Sequence, residues 1–438
     1  MSQVTPLRGA PRHFDETYVI VGAGQAGVQA ASTLRERGFR GRLVVLGDEE
    51  RLPYMRPPLS KKFLSAEQSE ERLYFRPPSY FESQAIEMQC GVRVEEIDRH
   101  RARLRLAGGD FLHYDKLLLA TGSRPRMLPV PGATSTDVHY LRTVDDALRL
   151  RNQLRPGSRL VVVGAGYLGL EVAATAATAG LRVTLLEIED RILGRVTTPA
   201  ISDFMAAVHR SRGVELRFRS RVVAFSGANR LGSVLCEEGS VEADVAVVGI
   251  GAVPNDELAR EAGLTCTDGI AVDERGRTSD PNIYAAGDCT RHENALFARR
   301  IRLESVQNAI DQATVAAVCM GGGDLAYRRV PWFWSQQYEF KLQSAGLFDG
   351  YDEIVERGDR RESRFALLYR RAGMLIAVDA INMTAVYLSA RREIALRGEI
   401  AVDVAPGRSV PEARTQAPSS PEPSPTDWPE MTPRSVAV

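Results

Sequence analysis

The sequence predicts an α/β protein: two βαβ units of one design, followed by a smaller α+β unit. Three observations carry that expectation. The first is a pair of complete glycine-rich loops, Gly22-Ala23-Gly24-Gln25-Ala26-Gly27 and Gly164-Ala165-Gly166-Tyr167-Leu168-Gly169, 142 residues apart. The second is what flanks each loop: an apolar run before it, at 18–21 and 160–163, and a helical pattern after it. The third is a change of character from Pro331, where Trp332-Phe333-Trp334 opens an aromatic, alternating stretch and residues 362–381 read as strands.

Taken in order, residues 1–13 read as a loose tail and 14–48 as the first βαβ unit. In that unit the first glycine allows a tight turn and the second lets the backbone approach a pyrophosphate. The third lets helix and strand pack closely. The helix N-terminus offers free N–H groups and partial positive charge to phosphate. An acid about 20 residues on is placed to bind ribose hydroxyls: Asp48 after 43–46, and Glu187 after 183–186 in the second unit. A single such loop is weak evidence, and the alternative is an ordinary strand–turn–helix junction. Strand, glycines, helix and acid coincide twice here, which points to two bound dinucleotides.

A proline-dense segment, 52–61, follows the first unit and is expected to be rigid and aperiodic, because proline fixes φ. Strands are expected near 104–119, ending at Ala120-Thr121-Gly122-Ser123-Arg124-Pro125. The second βαβ unit spans roughly 158–188. Apolar strands at 245–250 and 283–286 then run into Gly251-Ala252-Val253-Pro254-Asn255 and Gly287-Asp288-Cys289. Residues 406–438 hold eight of the 23 prolines, among Ser, Thr and Glu, and are expected to be disordered. No tandem repeat of 20–50 residues is visible.

Composition bounds the function. A chain of 438 residues accommodates about three domains. Lys+Arg and Asp+Glu are equal at 56 each, so bulk charge favours neither nucleic acid nor a membrane surface. No apolar run approaches the roughly 18 residues of a spanning helix. No secretory signal or transit peptide is evident at the start. The five cysteines form no CxxC and suggest neither zinc nor a disulfide framework, so no metal site and a reducing cytoplasm are expected. The six histidines show no metal-ligand spacing. Arginine outnumbers lysine 52 to 4, which makes the pair Lys61-Lys62 mildly noteworthy.

Ordered motifs narrow the reading: PYMRPPLSK (53–61), LATGSRPR (119–126), LRTVDDA (141–147), VVVGAGYLGLEVAATA (161–176), VVGIGAVPN (247–255), YAAGDC (284–289), ESVQNA (304–309) and PWFWSQQYE (331–339). With these the chain resembles the FAD-dependent NADH:ferredoxin reductases that serve bacterial cytochromes P450 and aromatic-ring dioxygenases, over about residues 16–400. The resemblance implies a glutathione-reductase-like arrangement of two Rossmann-like domains plus a C-terminal α+β domain. The FAD-binding domain would be 14–126 with 254–329, the NAD-binding domain 127–253, and the C-terminal domain 330–405.

The resemblance further implies that the first loop binds FAD non-covalently and the second NADH. Gly22, Gly24 and Gly27 would shape the FAD turn, with Ala26 and Asp48 at the adenosine end. Arg56, Val94 and Arg142 match further flavin-contact positions. Asp288 would accept a ribityl hydroxyl, and Val306 would lie against the flavin pyrimidine edge. Lys61 falls where a cation stabilises reduced anionic flavin; the alternative is a surface lysine beside Lys62. Gly164, Gly166 and Gly169 would take the NADH pyrophosphate. Glu187 would select NADH by accepting the 2′-OH and repelling a 2′-phosphate. Glu189 and Asp190 reinforce it, while Arg191 opposes it.

Glu171 matches a glutamate near the nicotinamide that orients the carboxamide or the lysine; the alternative is a helix residue pairing locally. Trp334 would lie by the flavin where ferredoxin docks, whereas Trp332 reads as core. Lys61, Glu171 and Trp334 are thus the catalytic candidates, as orienting residues. Gln336 stands where the family usually has an acid. NADH would deliver hydride to the flavin, which would pass single electrons to a 2Fe–2S ferredoxin. Residues 40–65 contain no cysteine, which excludes the disulfide relay of glutathione-reductase relatives. Arg299, Arg300 and Arg302 suggest a basic patch for an acidic ferredoxin; the alternative is a solvated arginine face. Other readings are a rubredoxin or other small-acceptor reductase, and a redox-sensing flavoprotein that binds a protein partner. Monomer and homodimer both remain open.

Overall fold

The computed structural model describes residues 16–403. The tails expected at 1–13 and 406–438 lie outside the described residues. Residues up to Gly398 belong to one compact unit; of a second unit beginning at Glu399, only a helical run to Asp403 is described.

The first glycine loop sits on a parallel sheet of five strands, ordered Ile283–Ala285, Lys116–Leu119, Thr17–Val21, Arg42–Gly47 and Ile86–Cys90. The apolar runs are continuous because both faces are covered. Tyr18, Ile20, Leu43, Val45 and Leu118 face the helices Gln25–Glu36 and Val306–Met320, whose Ala30, Ala31, Ala313 and Ala316 permit close approach. Val19, Val21, Val44, Leu46, Leu117 and Leu119 face the other way. There they meet Val94, Ile97 and Leu104 of an antiparallel meander formed by Val94–Asp98, Arg103–Leu106 and Phe111–His113.

The second loop repeats the plan. Its sheet runs Glu215–Arg217, Arg182–Leu186, Arg159–Val163, Val245–Val248 and Val138–His139, all parallel. Leu160, Val162, Val183, Leu185 and Val247 pack on Val172, Ala173 and Ala176 of the helix Tyr167–Thr178. Val161, Val163, Leu186 and Val248 face a second antiparallel meander through Val222, Phe225, Val234 and Val241.

The C-terminal part is an antiparallel sheet ordered Trp332–Gln337, Phe340–Gly346, Met374–Ile381, Arg364–Arg371 and Glu353–Asp359. Side chains alternate across it. Ala345, Ala366, Leu375 and Val378 pack with Tyr387, Ala390 and Ile394 of the helix Thr384–Asp403. Leu342, Phe365, Leu367 and Tyr369 join the core of the second nucleotide unit.

The proline-dense segment differs from expectation. Pro57–Ser60 forms a 3-10 turn, and Tyr54 bridges Tyr74. Consecutive prolines at the start of a turn lack only N–H groups that would be unpaired there anyway. The apolar run at 245–250 leaves the sheet at Val248, ahead of Gly251 with φ +107°.

Candidate functional site

In open parallel sheets ligands bind beyond the carboxyl ends of the strands. Gly22, Asp48, Ala120 and Gly287 follow strands of the first sheet; Gly164, Glu187 and Gly249 follow strands of the second.

Each loop gives its three glycines different work. A Cβ on Gly22 would meet Ala120 O at 2.1 Å, and one on Gly27 would meet Gly22 O at 1.9 Å. Gly164 and Gly169 are closed in the same way, by Gly249 O at 2.5 Å and Gly164 O at 2.0 Å. Gly24 and Gly166 instead face open space, with no protein atom within 4 Å of a Cβ. These two are the helix N-caps and bring no side-chain cap. By contrast, Ser305 caps Val306–Met320 and Thr143 forms a capping box on Val144–Arg151. Bare helix N–H groups beside open space fit a pyrophosphate at both loops.

The two acids differ. Asp48 is exposed and has no protein partner among the described residues, so its oxygens can take ribose hydroxyls. Its neighbour Glu49 is committed internally, to Tyr54 Oη at 2.5 Å and Arg56 at 2.6 Å. Glu187 is fixed by backbone donors: Oε2 accepts Ala165 N–H at 2.6 Å and Oε1 accepts Glu189 N–H at 3.0 Å. Ionised carboxylate oxygens retain capacity for a hydroxyl as well.

A polar chain continues along the carboxyl edge of the first sheet. Arg56 donates to Arg142 O at 2.8 Å, and Arg142 reaches Asp288 at 3.3 Å. Ser123 donates to the same Asp288 oxygen at 2.9 Å, and among the described residues no donor reaches Oδ1. Desolvation pulls the Arg142 pKa down against the attraction of Asp288, yet 32% of its side chain meets solvent. Ala26 packs against Gly287, whose Cβ would meet it at 3.2 Å. Val306 is half-buried at the first turn of its helix. Val94 is a core residue packed with Val21 and Leu46.

The third group joins the two nucleotide units. Lys61 Nζ donates to Pro57 O at 3.1 Å and pairs with Glu171 Oε2, and Ser60 Oγ donates to the same oxygen at 2.6 Å. Glu171 lies on the helix that opens at the second glycine loop and is buried. Its Oε1 accepts Ser335 Oγ at 2.7 Å, from the strand next to Trp334. Trp334 lies 5.5 Å from Trp332, which is 6.3 Å from Tyr387 and carries Arg391 at 5.2 Å. Trp332 is half-buried and packs against the core formed by the C-terminal sheet and helix, as expected of a core residue.

Among the described residues all five thiols are free, and Cys289, beside Asp288, is wholly buried with burial raising its pKa. Two of the three arginines of the expected basic patch have acidic neighbours. Arg299 pairs with Asp349 at 2.6 Å, and Arg302 lies between Glu304 and Asp268, the latter at 3.4 Å. The lone sequence run could not show those acids, two of which are distant in the chain.

With this geometry in place, similarity to known proteins becomes informative. Residues 16–313 match the family described as pyridine nucleotide-disulphide oxidoreductase, and residues 332–411 match the reductase C-terminal family. The chain belongs to this oxidoreductase family. It is 45% identical to rhodocoxin reductase of Rhodococcus erythropolis over 86% of this chain and 89% of that protein. It is 41% identical to putidaredoxin reductase of Pseudomonas putida, over 91% and 96%. The reductase in the crystal structure of the covalent putidaredoxin reductase–putidaredoxin complex superposes with a TM-score of 0.85, at 41% identity, covering 88% and 94%. The protein is thus an oxidoreductase with the fold of the ferredoxin reductases, and no described helix is long and apolar enough to cross a membrane.

Ser60, Ser123, Ser335 and Gln337 were not singled out from sequence. Each lies inside or beside a motif that was, so the signal present was adjacency. Each of Ser60, Ser123 and Ser335 makes a bond to a residue more than 100 positions away, and so does Gln337, to His209.

Proposed function

We propose that this reductase draws electrons from NADH and delivers them singly to a 2Fe–2S ferredoxin serving a cytochrome P450 or ring-hydroxylating oxygenase, in the cytoplasm. Non-covalently bound FAD supplies the conversion of a two-electron hydride into single electrons. Residues 14–126 and 254–329 form its binding domain, 127–253 the NADH domain, and 330–405 the docking domain. The observation that carries the reading is the Lys61–Glu171 pair, which fastens the first nucleotide unit to the helix of the second.

The chain's own residues divide the work. The loop of Gly22, Gly24 and Gly27 and the bare N-terminus of Gln25–Glu36 hold the FAD pyrophosphate, and Asp48 takes the ribose. Asp288 Oδ1 accepts a ribityl hydroxyl while Ser123 and Arg142 hold the other oxygen in place. Arg56 supports Arg142, and Val306 packs beside the ring. Gly164, Gly166, Gly169 and Glu187 bind NADH, with Glu187 already oriented by Ala165. The Lys61 ammonium favours an anionic reduced ring, Glu171 orients that ammonium, and Trp334 covers the exit side. The reductases of the relatives named above act on rhodocoxin and putidaredoxin, which supports a ferredoxin as the acceptor class.

The purified yellow protein should bleach on anaerobic addition of NADH, and should reduce cytochrome c rapidly only with added 2Fe–2S ferredoxin. Bleaching with no ferredoxin dependence, but with rubredoxin dependence, would reassign the acceptor. Absence of bleaching would leave the redox-sensor reading instead.

A further inference from the structure

The strand Trp332–Gln337 meshes with the helix Tyr167–Thr178 through matched repeats. Two residues of strand advance about 6.7 Å and four residues of helix about 6 Å. Phe333 therefore stacks on Tyr167 at 4.4 Å, and Ser335 reaches Glu171 one turn on at 2.7 Å. Gln337, the next residue on that face, passes beyond to the buried His209 of the helix Pro199–Ser211 at 2.8 Å.

The hydrogen bonds have one consistent direction. Glu171 is an acceptor when ionised, so the single proton of Ser335 points to it. Ser335 then accepts from Gln337 Nε2 at 3.1 Å, which turns Gln337 Oε1 to His209. The amide and imidazole orientations follow from this assignment: Nε2 of His209 carries the proton. Burial pulls the His209 pKa down, with Gln337 opposing, which favours the neutral ring. Three side chains from two elements thus align their donors toward one carboxylate.

We propose that Ser335 and Gln337 are positioning residues for the Lys61–Glu171 pair, so that the strand carrying Trp334 sets the charge beside the flavin. The proposal rests on the functional reading above. Ser335 divides the Glu171 oxygens, with Oε1 to the C-terminal domain and Oε2 to Lys61 and Ser60. Loss of that donor would free Oε1 and let the carboxylate turn away from Lys61. The Lys61 ammonium would then be less compensated and would favour the anionic reduced flavin more strongly. Other titratable groups around Glu171 are Tyr167 on its own helix, with Asp379 acting on that tyrosine, and His209 beyond Gln337.

The test is the flavin midpoint potential of the FAD-loaded protein at neutral pH. Ser335→Ala should raise it at neutral pH by about a tenfold change in the oxidised-to-reduced ratio, or about 30 mV for a two-electron couple. Ser335→Thr, which keeps the hydroxyl, should restore the wild-type potential. Gln337→Met should move the potential in the same direction by less, and decides the matter if Ser335→Ala fails to retain flavin. A potential equal to wild type in Ser335→Ala, or in Gln337→Met in that event, would overturn the proposal. Failure of wild-type protein to be reduced by NADH would instead remove the functional reading itself.

Discussion

Glu187 accepts the backbone N–H of Ala165 at 2.6 Å, so the acid of the second unit is tied into its own glycine loop. The carboxylate is placed before any nucleotide arrives. Such an acceptor discriminates by offering a hydrogen bond to a hydroxyl and repulsion to a phosphate. Glu187→Ala should lower kcat/KM for NADH about 10- to 100-fold, the equivalent of about 1–3 kcal/mol. It should also raise the NADPH-to-NADH ratio of kcat/KM. Steady-state kinetics with both nucleotides check this, and an unchanged ratio would show that Glu187 does not select.

The middle and last glycines of the first loop should separate ligand binding from folding. Gly24→Ala adds a methyl where no protein atom stands, on backbone of extended conformation. Its apo stability should stay within about 0.5 kcal/mol of wild type, while flavin content after purification falls sharply. Gly27→Ala drives a methyl to 1.9 Å from Gly22 O and should lower stability as well as flavin content. Thermal melts of apo-protein, with flavin quantified by absorbance, measure both. Equal flavin loss with equal destabilisation would sink the distinction.

Lys61→Met should leave the buried Glu171 without its cation. Breaking a buried pair from one side typically costs about 3–5 kcal/mol; the lower end is expected, because Ser60 and Ser335 still donate to the carboxylate. The double variant Lys61→Met with Glu171→Gln should recover much of that stability without recovering the rate of flavin reduction by NADH. Urea unfolding and stopped-flow reduction together decide it. A double variant no more stable than the single would contradict the pairing energetics.

Asp379 gives a pH dependence with a definite sign. It is buried between the second nucleotide unit and the C-terminal sheet, paired with Thr197 and accepting Tyr369 Oη at 2.8 Å. Desolvation raises its pKa, against the opposing hydrogen bonds. A folded pKa above the unfolded value means stability is fully present below the unfolded pKa and is lost as pH rises through the folded one. Asp379→Asn has no such proton to release. Its stability relative to wild type should therefore increase as pH rises from about 4. Melting temperatures across that range provide the check, and a difference falling with pH would reverse the assignment.

The legible parts of the site were those written contiguously. Each glycine loop, its strand and its helix occupy one stretch, so backbone sterics alone fix the turn and leave Gly24 and Gly166 open. The absence of cysteine between 40 and 65 was equally visible and has a structural counterpart in Cys289, a core thiol far from reactivity. The arginine run at 299–302 did not show its partners, because charge balance is a property of space: Asp349 pairs with Arg299 from 50 residues away.

By itself the sequence determined the paired nucleotide folds, because glycine conformation and apolar periodicity act over a few residues. Its ordered motifs, through the family they resemble, pointed to Lys61 and Glu171. Only tertiary structure decided that Lys61 and Glu171 meet across 110 residues and that Ser335 reaches Glu171 across 164. No local pattern encodes such a pairing. It arises when burial of two sheets and a third domain brings their polar side chains together, where each must find a partner to remain buried.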